Sequence, residues 1–118
     1  MPYNFVEVTI TAADPSGNPA LLNSTLVFAP SDYIWDTTTN GLVVVDPIEF
    51  TAAGGNWQKG AQVSLLAMDN PTLSTNWAWL LVGSVEGLPA IPPRRLSVAF
   101  ANGQTQSLGA LLTTSTPA

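Results

Sequence analysis

Apolar and polar residues alternate along most of this chain, and that period is what a half-buried β-strand requires. Val6, Val8 and Ile10 share one side of a short run whose other side is Glu7, Thr9 and Thr11. Side chains two apart on an extended backbone point to the same face. Leu26 and Phe28 repeat the pattern in a run from Ser24 to Ala29, as do Val63, Leu65 and Ala67 between Ala61 and Met68. The longest strand is expected over Asn76 to Glu86, with Trp77, Trp79, Leu81 and Val85 on one face, and another over Arg95 to Phe100, with Leu96, Val98 and Phe100 together. Gly41 to Val45 and Ile48 to Ala52 read as further strands separated by Asp46-Pro47. No segment of useful length has the helical period.

The punctuation between these runs has its own chemistry. Asp14-Pro15-Ser16-Gly17-Asn18-Pro19 is a dense turn cluster in which Pro15 presets an early turn position. Pro30 ends the second strand because proline has no amide hydrogen to give to a ladder. Gly54-Gly55-Asn56 predicts a turn, and Asn102-Gly103 predicts a tight hairpin. Residues 31 to 40 read as a polar loop apart from Tyr33, Ile34 and Trp35. Ser107 to Leu112 fits either a last strand or one helical turn, and residues 113 to 118 read as a flexible polar tail. With 118 residues, one domain covering 1–118 is expected. Seven or eight short strands with regularly spaced turn signals make it an all-β sandwich.

Only 9 % of the residues are charged, against roughly a quarter in ordinary soluble domains. Uncharged polar residues then cover much of the surface, or neighbouring molecules bury part of it; the second reading fits better. Three basic residues, Lys59, Arg94 and Arg95, face eight acidic ones for a net charge of −5. That balance excludes nucleic acid as a principal partner, because phosphate binding needs clustered cations, and excludes a polybasic contact with membranes. The longest apolar runs, Leu42 to Val45 and Trp77 to Val82, are too short to cross a bilayer. The start of the chain has neither the basic nor the apolar region of a signal peptide, so synthesis in a cytoplasm is expected.

The chain has no histidine and no cysteine, which removes the commonest general base, the thiol nucleophile and the usual transition-metal ligand sets. Lys59 lacks a Ser-x-x-Lys context, and the Gly54 to Gly60 stretch lacks the Gly-Lys-Ser/Thr order of a phosphate loop. Asp32 with Asp36, and Asp46 with Glu49, read as solvated turn carboxylates rather than a hydrolytic pair. Calcium at Asp32, Asp36 or Asp69 stays open, because loop carboxylates and carbonyls are its ligands, but the EF-hand spacing is absent and the signal is weak. Asn23-Ser24-Thr25 matches a glycosylation acceptor, but without a secretion signal the match has no meaning. The expectation is a non-enzyme with no catalytic residue, no metal and no cofactor.

Four tryptophans remain. Trp77 and Trp79 share a strand face with Leu81 and read as a core pair. Trp35 and Trp57 fall in loops, where exposed tryptophan is enriched at binding hot spots. The candidate partner-binding residues are therefore Trp35 and Trp57, with Tyr33 beside the first, and Arg94 and Arg95 at an exposed strand entry after Pro92-Pro93.

The order of several short segments resembles a module of actinobacteriophage virion proteins. Asp14-Pro15-Ser16-Gly17-Asn18-Pro19, leading to Thr25-Leu26-Val27-Phe28-Ala29-Pro30-Ser31, is similar to a D-P-x-G-x-P turn followed by a V-T-F-x-P-S strand. Leu66-Ala67-Met68-Asp69-Asn70-Pro71, Asn76-Trp77-Ala78-Trp79, Arg94-Arg95-Leu96-Ser97-Val98 and Leu108-Gly109-Ala110-Leu111-Leu112 resemble the later part of the same module in minor tail proteins. The likeness runs from about Phe5 to Leu112. It implies an immunoglobulin-like or transthyretin-like sandwich that attaches to a virion, and it brings no catalytic residues. In minor tail proteins the module heads a much longer chain. A free-standing copy is expected instead to be an accessory capsid decoration or head-stabilising protein, with a minor tail protein as the alternative. Its expected partner is a major virion protein, in a homo-oligomer or multi-copy assembly on the particle. Host carbohydrate, stacked on Trp35 and Trp57, is the other partner class.

Overall fold

A computed structural model of the chain describes residues 3–10, 16, 24–52, 61–85 and 91–118. The expected turn at Gly54 to Asn56, Trp57, Lys59, and all of the Asp14 to Pro19 cluster except Ser16 lie outside the described residues. The elements are β1 (Phe5–Ile10), β2 (Ser24–Pro30), β3 (Ile34–Trp35), β4 (Leu42–Val43), β5 (Ile48–Ala52), β6 (Ala61–Leu66), β7 (Trp79–Val85), β8 (Ile91–Leu96), β9 (Thr105–Ser107), α1 (Leu108–Thr113) and β10 (Thr116–Pro117). The fold is all-β, with one short helix among the described residues.

Two sheets supply the core. One has the order β6-β1-β9, with β1 antiparallel to β6 and parallel to β9. The other has the order β10-β8-β7-β2-β5. The alternation seen in the sequence decides which faces meet. Val6, Val8 and Ile10 of β1 and Val63 and Leu65 of β6 are buried, and they form one cluster with Leu26 and Phe28 of β2, Trp79 and Leu81 of β7, and Leu96 of β8. Polar residues between them, such as Gln62 and Ser64, stay exposed. Trp79 is fully buried and its indole N–H donates to the Leu66 carbonyl at 2.9 Å, so the largest core side chain also ties the two sheets together. Trp77 meets it edge to face, with ring centroids 5.9 Å apart, and donates to the Ser74 carbonyl at 3.0 Å. The tryptophan pair is core, as its spacing predicts.

Four expectations are corrected. The strand expected over Arg95 to Phe100 is β8, which starts at Ile91 and stops at Leu96. Its prolines are accommodated beside an irregularity where the β7–β8 register shifts between Leu81 and Gly83. Beyond Leu96 the chain crosses to the other sheet. Val98 is buried there, its carbonyl accepting from the Met68 amide at 2.7 Å, and Phe100 begins a 3-10 turn capped by Asp69. Asn102-Gly103 makes no hairpin, because the strand that follows, β9, lies parallel to β1 in the other sheet. Gly103 ends the 3-10 turn at φ 125°, a conformation that suits glycine. Trp77 precedes β7, which begins at Trp79. Finally, residues 113–118 do not form a loose tail: Thr116 and Pro117 pair with Arg95 and Arg94.

Candidate partner-binding face

The segment expected as a loop around Tyr33 to Trp35 is one arm of a small hairpin. Ile34 pairs with Val43 and Trp35 with Leu42. Alternation then divides the hairpin by face. Ile34 and Val43 turn toward the core, Ile34 fully buried and Val43 packed against the cluster. Trp35 and Leu42 lie on the other face, and Tyr33 and Val44, each one residue beyond its arm, follow the same side. The exposures are 76 % for Tyr33, 68 % for Leu42, 85 % for Val44 and 38 % for Trp35. Four large apolar or aromatic side chains are therefore presented together on one small element. A depression lined by Pro30, Tyr33, Ile34, Leu42 and Val43, with the exposed Asp32 at its side, lies beside them.

Hydrogen bonds tie this hairpin to the rest of the chain. At its tip the Asp36 amide donates to the Gly41 carbonyl at 2.9 Å, and the Asn40 amide to the Asp36 carbonyl at 2.8 Å. Asn40 takes the left-handed conformation at φ 57°, which asparagine tolerates better than most residues. The Asp36 carboxylate organises the turn: Oδ1 accepts from the Thr38 amide at 2.8 Å and the Thr38 hydroxyl at 2.5 Å, and Oδ2 accepts from the Tyr3 hydroxyl at 2.7 Å. Those bonds, the Thr38 hydroxyl foremost and then Tyr3, hold the carboxyl well below its ordinary range, at about 2. The bond to Asp36 in turn raises the Tyr3 phenol.

The β3 arm is also stitched to the segment after β6. The Trp35 amide donates to the Ser74 hydroxyl at 3.2 Å and its carbonyl accepts from the Ser74 amide at 2.9 Å. The Thr37 amide and hydroxyl both reach the Thr72 carbonyl, and the Asn76 side chain donates to the Tyr33 carbonyl at 3.0 Å. Ordering these backbone atoms in advance removes an entropic cost that a mobile loop would meet on binding.

The other candidates fall elsewhere. Arg94 and Arg95 are adjacent in β8 and so face opposite sides of the sheet. Arg94 lies across from buried Leu81. Its guanidinium donates to the Ser115 hydroxyl and the Ser115 carbonyl, both at 2.9 Å. It holds the chain's own C-terminal segment. Arg95 is exposed on the outer side of the five-stranded sheet, across from Leu80. The structure thus brings Tyr33 and Trp35 together, and leaves the arginines on another element.

The chain matches no family model, no curated protein and no solved structure. Among the described residues no three acidic side chains gather as a metal site, and no helix is long and apolar enough to cross a membrane. What the hairpin offers chemically is contact area that excludes water. Sequence reasoning found Tyr33 and Trp35 but not Leu42 and Val44, because Leu42-Val43-Val44-Val45 is a continuous apolar run. Alternation inside such a run leaves no mark that separates its outward half from its inward half.

Proposed function

We propose that this chain is a structural protein of a bacteriophage virion, an accessory subunit that decorates or stabilises the capsid. It docks on a major virion protein through the outer face of the β3–β4 hairpin. The observation that carries this reading is the joint exposure of Tyr33, Trp35, Leu42 and Val44 on an element whose backbone is already bonded in place. Clusters of this kind on a soluble domain mark interaction sites. The scarcity of charge agrees with a surface that spends its life against neighbours, as does the resemblance to virion modules described above. Catalysis has no support from the residue types present, and nucleic acid none from the net charge of −5.

Two alternatives share the surface. A minor tail protein would use it within the tail. A host-carbohydrate adhesion module is favoured by the exposed rings of Tyr33 and Trp35, two residues apart on one face, which suit stacking against a sugar. Copy number in purified particles separates these readings: hundreds per virion support the capsid, a handful the tail. Particles assembled with Leu42→Asp should lose the protein if the hairpin is the docking face. Retention of full occupancy by that variant, or absence of the protein from virions, would sink the proposal. Glycan-dependent binding of the purified protein to host cells, lost in Trp35→Ala, would favour the carbohydrate reading.

A further inference from the structure

A second exposed face has a different character. The outer side of the five-stranded sheet carries Glu49, Val27 and Val82 in one cross-strand row, and Ala29, Leu80, Arg95 and Thr116 in the next. Val82 is 46 % exposed at its centre, and Val27, Ala29 and Leu80 beside it are half-buried. Glu49 on β5 and Arg95 on β8 are the charged residues of this face among the described ones, and both are exposed. They stand three strand spacings and one two-residue step apart, about 16 Å by ordinary sheet dimensions. Within one molecule they are too distant to neutralise each other.

We propose that this face pairs with the same face of a second copy in a two-fold dimer. A two-fold axis lying in the interface, running along the strands between β2 and β7, exchanges the β5 side of one sheet with the β8 side of the other. Glu49 of each copy then lies over Arg95 of its partner, twice by symmetry. The remaining offset is one residue pair along the strand, about 6.6 Å. An arginine side chain spans it, and the rotation of roughly 30° between aligned sheets is available to adjust it. Val27, Ala29, Leu80 and Val82 fall at the centre, where water is excluded.

The charge pattern selects a second copy over other occupants. The protein carries eight acids and three bases, so most pairs of its surfaces repel. Among its described residues this face has one charge of each sign, placed so that a two-fold matches them, and such a match needs no partner beyond the chain itself. The sheet presents a footprint of about 20 Å in each direction, about 400 Å² per copy, which is the size of a weak, transient contact rather than of a stable interface. The dimer is correspondingly weak and concentration-dependent. This inference rests on a surface separate from the hairpin and does not depend on the virion assignment.

Sedimentation velocity on the full chain tests it, with far-ultraviolet circular dichroism confirming that each variant keeps the β spectrum. The wild type should pass from monomer to dimer as concentration rises to about 1 mM. Glu49→Arg and Arg95→Glu, each turning two attractions into two repulsions, should weaken the dimer at least about tenfold, about 1.4 kcal/mol. The double variant should restore association to within about threefold of wild type. Val82→Asp should abolish it, and Leu42→Asp on the hairpin should leave it unchanged. A wild type that stays monomeric throughout, single reversals that associate normally, or a double reversal that fails to restore association would each overturn the proposal.

Discussion

The Tyr3 hydroxyl donates a 2.7 Å hydrogen bond to Asp36 Oδ2, so the residues just ahead of β1 hold the turn of the exposed hairpin across the molecule. Asp36 is the anchor of that turn, and its carboxyl sits at about 2 rather than the usual 3.8 because it accepts from the Thr38 hydroxyl, Tyr3 and the Thr38 amide. A carboxyl with a depressed folded pKa stabilises the native state fully above its ordinary value, and that contribution is lost as pH falls through the folded value. The hairpin should therefore keep its conformation down to about pH 4 and loosen between about pH 4 and 2. Carbon NMR titration of the Asp36 carboxyl should give a midpoint near 2, moving upward in Thr38→Ala and in Tyr3→Phe. A midpoint in the ordinary carboxylate range in the wild type would remove this account of the turn.

Trp79→Ala should be severe. The side chain is fully buried and its N–H is bonded to the Leu66 carbonyl. Truncation leaves both a cavity and an unmatched carbonyl, a loss of about 3–5 kcal/mol, large beside the roughly 5–15 kcal/mol that holds a typical domain together. Urea unfolding followed by circular dichroism should show the midpoint fall steeply. An unchanged midpoint would mean the core is not organised around this residue.

The proposed attachment to virions through the hairpin should be insensitive to salt. Tyr33, Trp35, Leu42 and Val44 carry no charge, so screening has little to act on. Virions washed in about 1 M salt should retain the protein, whereas Trp35→Ala should weaken attachment by at least about 2 kcal/mol if the ring is an anchor. Release of the wild type by salt alone would point to an ionic contact elsewhere.

Arg94→Ala should free the C-terminal segment without unfolding the domain. Two hydrogen bonds to Ser115 disappear, and bonds from a charged donor contribute about 1.5–3 kcal/mol each. Hydrogen exchange at the Ala118 amide, which donates to the Pro93 carbonyl, should accelerate while exchange in β1 and β7 stays slow. Equal protection in the variant and the wild type would show that β10 holds on without the arginine.

The core was readable from the chain because strand burial and side-chain alternation share a period. Val6, Val8 and Ile10, or Leu26 and Phe28, need no tertiary information to be assigned inward. What local pattern could not reveal was where the chain changes sheets. Asn102-Gly103 looks like a hairpin because the dipeptide suits one, yet the next strand finds its partner in the first residues of the chain. Ile34 and Trp35 looked like loop because two residues are too few to show a period, and their partner strand is what defines them. Adjacent Arg94 and Arg95 looked like one exposed strand entry. Only the register across from Leu81 and Leu80 shows that they serve opposite faces.

The parallel pairing of β1 with β9 also shapes how the chain reaches this state. Thr9 and Gln106, bonded across that pair, are 97 positions apart, so β1 must wait for a strand far along the chain before this edge is paired. Until then β1 has only β6 beside it, and one long edge of the strand stands open. Closing so distant a contact is entropically slow. Folding of this chain should therefore take milliseconds to seconds rather than microseconds, with the β1 edge open to other chains until β9 pairs with it.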